Sequence, residues 1–255
     1  MSAKKDRERR REERLQAEAD AQGQDRRRRL LQIASAAFFL AIVGVAVLIV
    51  VDGSRSSGGD AKSLEGAGEV NRQVAGIPQS GLTLGDPKAK ATLVEFGDLQ
   101  CPVCKAFSEQ IVPEVVDSKV RTGVARIEFR NYAIIGEESV PAGAAAIAAG
   151  RQGRGWNFVE LFYRNQGTER SGYVTDEFLT AIAKKAGVGD IARWNRERES
   201  KRILAQVDRT SEEARELGFT GTPSFAVEGP GSGGLQPIGT PGSAEGLEAA
   251  IDSAR

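Results

Sequence analysis

Cys101 and Cys104 are the only cysteines of the chain, spaced as Cys101-Pro102-Val103-Cys104, and there is no histidine anywhere. Two thiols in a C-x-x-C arrangement have the spacing of a redox dithiol, which cycles between dithiol and disulfide by exchange with other proteins. A structural zinc site needs four ligands, usually cysteine or histidine, and this chain lacks the rest of the set. A static disulfide would close only a tiny loop, where the chain-entropy gain is smallest. Exchange chemistry remains, and it requires neither a metal nor an organic cofactor.

The elements around the pair suit that chemistry. Ala91–Gly97 reads as a buried strand, and Cys104 to about Lys119 as a helix with Phe107, Ile111 and Val115 on one face and a kink at Pro113. A sulfur at such a strand-to-helix turn lies near the unpaired N–H groups and dipole of the helix N-terminus, which favour an anion. A thiol there can fall from about 8.5 to between roughly 3.5 and 7.5. Cys101 is then a ready thiolate and a good leaving group, while Cys104, one turn on and deeper, resolves a mixed disulfide formed at Cys101. Glu95 lies six residues before Cys101. It shares a strand face with Leu93 by the period of two, which predicts burial; the alternative is an outward-facing strand glutamate. A buried acid with a raised pKa suits general acid–base work.

Further along, Val124–Tyr132 alternates as a second strand. Ser139–Ala149 is a small-residue helix ended by Gly150. Trp156–Asn165 and Thr175–Ala186 read as amphipathic helices, the latter with Thr175 as N-cap and Gly187 as its stop. Ile191–Leu217 is a charged helical stretch broken once, Pro223–Val227 a third strand, Leu235–Ile238 a short strand and Ser243–Ala254 a closing helix. Trp156, Phe158, Leu161 and Phe162 read as a packed core rather than a substrate groove. Gly229–Gly234 reads as a hairpin loop rather than a phosphate loop, because it does not open a helix.

The N-terminal part is different in kind. Leu30–Val51 is a nearly unbroken apolar run, interrupted only by Gln32 and Ser35 and preceded by Arg26–Arg29. Roughly 20 apolar residues cross a hydrocarbon core about 30 Å thick, whereas a cleaved secretory core is shorter. Residues 30–51 are therefore expected to be an uncleaved transmembrane signal anchor; a buried helix of a soluble protein is the alternative. Residues 1–29 hold eleven Lys/Arg and seven Asp/Glu, a net of +4; the chain as a whole is balanced at 35 of each, so residues 30–255 carry −4. That asymmetry places the N-terminus in the cytoplasm and the large C-terminal part outside it, at the cell membrane. The charged arm 1–29 reads as a solvated tail or a contact for anionic lipid head groups, and its acidic residues argue against nucleic acid. Residues 52–74, rich in Gly, Ser and charge, read as a flexible linker, and 75–255 as one domain. Outside the cytosol thiols are not held reduced, which again favours thiol–disulfide exchange.

The order β-α-β, helical block, β-β-α resembles an α/β thioredoxin fold with a helical insertion, here about 137–217. Cys101-Pro102-Val103-Cys104 followed more than a hundred residues later by Thr222-Pro223 resembles the membrane-anchored bacterial branch of the DsbA-like thiol–disulfide oxidoreductases. Ile77-Pro78-Gln79-Ser80-Gly81, Leu84-Gly85-Asp86-Pro87, the run Val94–Pro102 and Phe129-Arg130-Asn131-Tyr132 extend the likeness over about 77–255. The resemblance implies that Pro223 is cis, and that the Thr222 backbone, with Pro102 and Val103 nearby, binds an extended substrate chain. It implies that Glu95 lies beneath Cys104 and passes its proton. It further implies protein thiol or disulfide clients and a membrane redox partner that resets the pair. The best-known oxidising members carry a histidine between the cysteines; Pro102-Val103 supplies no such donor, so this pair is expected to be less oxidising. A dedicated thiol reductase and a non-catalytic peptide-binding module of the same fold are the two rivals.

Overall fold

In a computed structural model of the chain, residues 64–255 are described. The arm 1–29, the apolar span 30–51 and the first part of the predicted linker lie outside the described residues. Among the described residues no helix is long and apolar enough to cross a membrane.

The domain is organised on strand β3 (Ala91–Gly97), all seven residues of which are buried. Its run of apolar and β-branched residues suits a strand covered on both faces. Strand β4 (Ala125–Asn131) lies parallel to it, with Leu93 opposite Ile127 and Glu95 opposite Phe129. Strand β5 (Ser224–Glu228) lies antiparallel on the other side, with Glu95 opposite Phe225. Two short strands, β1 (Gln79–Ser80) and β2 (Thr83–Leu84), extend the β4 edge, and β6 (Gln236–Gly239) the β5 edge, giving the order β1-β2-β4-β3-β5-β6. The alternation expected in β4 is present: Ala125, Ile127, Phe129 and Asn131 are buried, and Arg126, Glu128 and Arg130 half-buried.

Between the parallel strands runs helix α2 (Pro102–Gln110), then α3 (Val112–Val115) and a π-helical turn (Val116–Val120). The helix begins at Pro102, earlier than expected, because proline suits the first helical position, where no amide is needed. It breaks at Ile111, since Pro113 has no N–H to carry the ladder on. The insertion holds α4 (Ser139–Gly150), α5 (Gly155–Arg164), α6 (Asp176–Lys185), α7 (Ile191–Arg198) and α8 (Lys201–Glu216). Thr175 caps α6 by accepting from the Phe178 N–H, and Ser200, capping α8 from the Ile203 N–H, is where the long charged stretch breaks. The small residues of α4 let α5, α7 and α8 pack closely around it, and the Trp194 indole donates to the Ala145 carbonyl at 2.9 Å. Trp156, Phe158, Leu161 and Phe162 are all buried, so they are core. Helix α9 (Ala244–Ala254) closes over β3. A second, smaller apolar cluster covers the other face of β3, where Val94 and Phe96 meet Tyr132, Ala214 and Phe219.

Two parts of the expectation need correction. The segment 52–74 is not linker to its end: Ala67–Val74 is a helix, α1, packed on α5 with Val70 and Val74 buried. Arg164 pairs with Glu69 at 2.8 Å, and Asn157 donates to Asn71 at 3.0 Å. Average composition concealed two valines spaced one helical turn apart. The β1–β2 hairpin was also missed, because two-residue strands are too short to show a period. Its turn, Gly81-Leu82, uses Gly81 at φ 60°.

The corner between α4 and α5 sits directly on this hairpin. A methyl group at Gly150 would lie 2.7 Å from the Gly81 carbonyl oxygen, and one at Gly155 would overlap that same backbone oxygen. Gly155→Ala is expected to destabilise the domain by about 1–3 kcal/mol, as overpacking against immovable backbone does. Gly68→Ala on exposed α1, whose nearest neighbour is the Arg72 guanidinium at 3.6 Å, is expected to stabilise it by up to about 1 kcal/mol. Denaturant unfolding of both variants checks the pair of outcomes, and no change for Gly68→Ala would return α1 to linker.

Candidate active site

Cys101 is the N-cap of α2 (φ −75°, ψ 119°), so the turn that ends β3 delivers its sulfur to the helix tip. Both cysteines are free thiols and buried, Cys104 completely. The Cys101 thiol donates to the Thr222 carbonyl at 3.4 Å, a contact between residues 121 positions apart in sequence. The Cys104 thiol lowers Cys101 most; burial opposes it, and the Thr222 hydroxyl and the backbone N–H groups of Cys104 and Val103 add to the lowering, leaving Cys101 at about 7. That hydroxyl is buried with no hydrogen-bond partner of normal geometry and stands beside the sulfur. Cys104 moves the other way: burial, then the neighbouring Cys101 and Glu95, hold its thiol well above the ordinary range. One sulfur is poised to ionise while its neighbour keeps its proton.

Glu95 is 2% exposed, and its Oε1 has no hydrogen-bond partner. Burial first, then the charges of Glu160 and Cys101, push its carboxyl up to about 8, so it is mostly protonated at neutral pH. Glu95 is thus buried, and its charge acts on Cys104.

The Thr222–Pro223 peptide is cis. Its loop is held by Ser224 Oγ donating to the Gly221 carbonyl at 2.8 Å and Thr240 Oγ1 donating to the Pro223 carbonyl at 2.7 Å. Pro223 is buried and Thr222 half-buried, whereas Pro102 and Val103 are exposed. Among the described residues Val103 and Ile134 are the only large exposed hydrophobics, and both flank the site.

Other residues of the site carried no role in the sequence reading. Asp98, buried in the turn, accepts from the Gln100 N–H on one oxygen and from the Ile134 and Ile135 N–H groups, at 2.8 and 2.9 Å, on the other. Gln100 donates to Ser139 and accepts from the Arg170 N–H, both at 2.9 Å. Gln166 donates to the carbonyls of Leu99 (2.7 Å) and Cys101 (3.1 Å). The insertion thus clamps the backbone that carries Cys101. Glu160 is a second buried carboxyl, 1% exposed. An acid within the apolar run Trp156–Tyr163 was a visible signal for it.

A strand, a C-x-x-C at a helix tip and a Thr-cis-Pro loop facing the sulfurs define a thioredoxin-type dithiol protein. The family model described as Thioredoxin matches residues 79–253. Probable disulfide bond formation protein D of Bacillus cereus is 30% identical over 150 residues, covering 58% of this chain and 69% of the relative. Disulfide bond formation protein D of Bacillus subtilis is 26% identical over 146 residues, 56% of this chain and 66% of that protein. Among solved structures, oxidised BdbD from Bacillus subtilis superimposes with a TM-score of 0.60 at 22% identity, over 69% of this chain and 97% of that one. A thioredoxin-like oxidoreductase from Silicibacter pomeroyi gives 0.55 at 29% identity, over 72% and 96%. The chain belongs to the thioredoxin family, as a DsbA-like thiol–disulfide oxidoreductase. Proteins of this kind use a redox-active cysteine pair rather than an external cofactor, and this chain has one pair to offer.

With Cys101 at about 7, the thiolate is lost below that pH and complete above it. Ultraviolet thiolate absorbance of the reduced protein is expected to rise with a midpoint near that value, and alkylation of Cys101 to accelerate through the same window. Thr222→Val, which removes a hydroxyl that favours the anion, moves the midpoint upward; an unchanged midpoint rules out that contribution.

Proposed function

We propose that this chain is a membrane-anchored, extracytoplasmic oxidoreductase that exchanges disulfides with secreted or membrane proteins through Cys101 and Cys104. One observation carries the chemistry: a thiol at about 7 on a helix tip beside a second thiol that is fully buried and holds its proton. The apolar run 30–51 behind Arg26–Arg29 supports the anchor and the orientation.

With the pair oxidised, a client thiolate attacks Cys101 Sγ. The Cys101–Cys104 bond breaks, its electron pair leaves on Cys104, and Cys104 takes the proton of Glu95. A second client thiolate attacks the client sulfur of the mixed disulfide and expels Cys101 as a thiolate. The client is then oxidised by two electrons and the pair reduced. In reverse, the Cys101 thiolate opens a client disulfide, and Cys104 resolves it after returning its proton to Glu95. The Thr222–Pro223 loop, with its carbonyl 3.4 Å from the Cys101 sulfur, positions an extended client chain, and exposed Pro102 and Val103 form the floor it crosses. A membrane redox partner resets the pair after each cycle.

Cys101 bears on the direction of electron flow. A first thiol near 7 matches thioredoxin, whereas a strongly oxidising relative lies near 3.5. The dipeptide Pro102-Val103 supplies no side-chain donor to stabilise the thiolate further, only the Val103 backbone N–H. This favours a pair less oxidising than DsbA, and gives the dedicated reductase its one supporting observation. The names of the relatives, disulfide bond formation proteins, support oxidation.

Cys104→Ser is expected to accumulate mixed disulfides between Cys101 and secreted or membrane proteins, visible on non-reducing gels and absent from Cys101→Ser. Failure of Cys104→Ser to trap any client would leave a non-catalytic peptide binder. The reduction potential of the pair, measured against glutathione, is expected between about −270 mV (thioredoxin) and about −120 mV (DsbA). A value at the thioredoxin end makes the protein a reductase.

A further inference from the structure

Cys104 and Ser108 are four residues apart on α2, both buried, so they stand on one face a turn apart. The Ser108 hydroxyl donates to Glu160 Oε2 at 3.0 Å, which draws a carboxyl from α5 in beneath the cysteine. Glu95 on β3 is buried too and acts on the same cysteine, with Oε1 unpartnered. Of the charged groups acting on Glu95, Glu160 acts most strongly. Two acids are therefore buried under one dithiol, where a single acid would suffice to hand Cys104 one proton. Burying an ionisable group without a fixed counter-charge is costly, and two together more so.

The surroundings of Glu160 lead outward. Gln73 on α1 lies against it, its amide nitrogen buried and otherwise unpartnered, and Arg164 and Glu109 are the charged groups next in influence. The Glu109 side chain is 31% exposed and that of Arg164 15% exposed. The groups facing Glu160 are thus Glu109 from α2, Arg164 from its own helix and Glu95 from β3, with uncharged Gln73 from α1. Glu95 itself has no such neighbour toward solvent, being enclosed by Cys101, Cys104, Tyr163 and strands on both sides.

We propose that Glu160, held by Ser108, is the outer station of a proton route that refills Glu95 from the α1 side of the domain after Glu95 has protonated Cys104. The inference rests on the exchange reading above and extends it. The balance is one proton inward on reduction and one outward on reoxidation. On reduction Glu95 gives its proton to the departing Cys104 sulfur, the Glu160 carboxyl passes its own to the Glu95 carboxylate, and solvent restores Glu160. When the pair is reoxidised the Cys104 proton goes to Glu95 as Glu95 releases one through Glu160 to solvent. Burial pushes the Glu160 carboxyl up to about 7, so it still holds a proton to give near neutral pH. Glu160 is a positioning and relay residue, since it reaches the sulfurs only through Glu95. The helix α1 then has a purpose beyond packing, as Gln73 covers the mouth of the route.

The test is the rate at which glutathione reduces the oxidised full chain, normalised to glutathione thiolate, across neutral and mildly alkaline pH. In the wild type this rate is expected to fall as Glu95 loses its proton, near pH 8. In Glu160→Gln a like charge is gone and the relay is cut. The rate at that pH is expected to drop roughly fivefold as the midpoint moves down by about one unit. Adding Glu160→Gln to Glu95→Gln should slow the reaction no further, which a merely structural role would not predict. Ser108→Ala, which frees Glu160, should shift the profile in the same direction and serves if Glu160→Gln does not fold. Equal slowing in the presence and absence of Glu95, or an unmoved profile in both outer variants, overturns the route. If Glu95→Gln alone is silent, the route falls while the cysteine chemistry stands. If Cys101→Ser still exchanges with glutathione, the exchange reading itself falls.

Discussion

An anion and a neutral acid must be kept within a few side chains of each other here, and the domain is arranged around that demand. A thiolate is favoured where backbone N–H groups converge and where a hydroxyl can face it. A carboxyl is kept protonated where water is excluded and another acid is near. Strand β3 meets both conditions at once. Its end turns directly into the tip of α2, and its interior is walled by β4, β5 and helices on both faces. A half-exposed edge strand would solvate Glu95 and let it ionise, and Cys104 would then lack a proton donor in the oxidising direction.

The helical insertion acts as a clamp on the turn that carries Cys101. Its residues Ser139, Gln166 and Arg170 all bond to the four-residue turn that carries Cys101. Asp98 ties the same turn to the backbone that leaves β4. The turn is thus fixed from both sides without touching the sulfurs, leaving Cys101 free to meet a client. These bonds hold geometry only: Gln166 satisfies the Leu99 and Cys101 carbonyls, while Ser139 and the Arg170 N–H hold the Gln100 side chain.

Much of the fold was legible along the chain because its long elements carry strong periodic signals. The buried run of β3, the alternation of β4 and the capped helices α6 and α9 all lie within a residue or two of their expected bounds. The start of α2 was misread by two residues, since proline at its first position looks like a breaker when only composition is considered. Helix α1 was hidden because two valines among eight residues do not lift an average. The β1–β2 hairpin was hidden because pairs of residues have no period. Glu160 showed as an acid in an apolar run, but nothing local tells a surface acid from one that another helix will cover.

What the chain alone determined is local chemistry: two thiols one helical turn apart, at the junction of a strand and a helix, with no third cysteine and no histidine to complete a zinc set. Bonded neighbours set those features, so they survive in one dimension. Only the folded chain decided that Thr222 meets Cys101, that Glu95 and Glu160 are both buried and act on each other, and that Gln166 holds the active turn. Those contacts join residues 52 to 121 positions apart, and their consequences depend on the water excluded once every element is in place. The ionisation of a sulfur or a carboxyl is a property of that enclosure, and no spacing in the sequence specifies it.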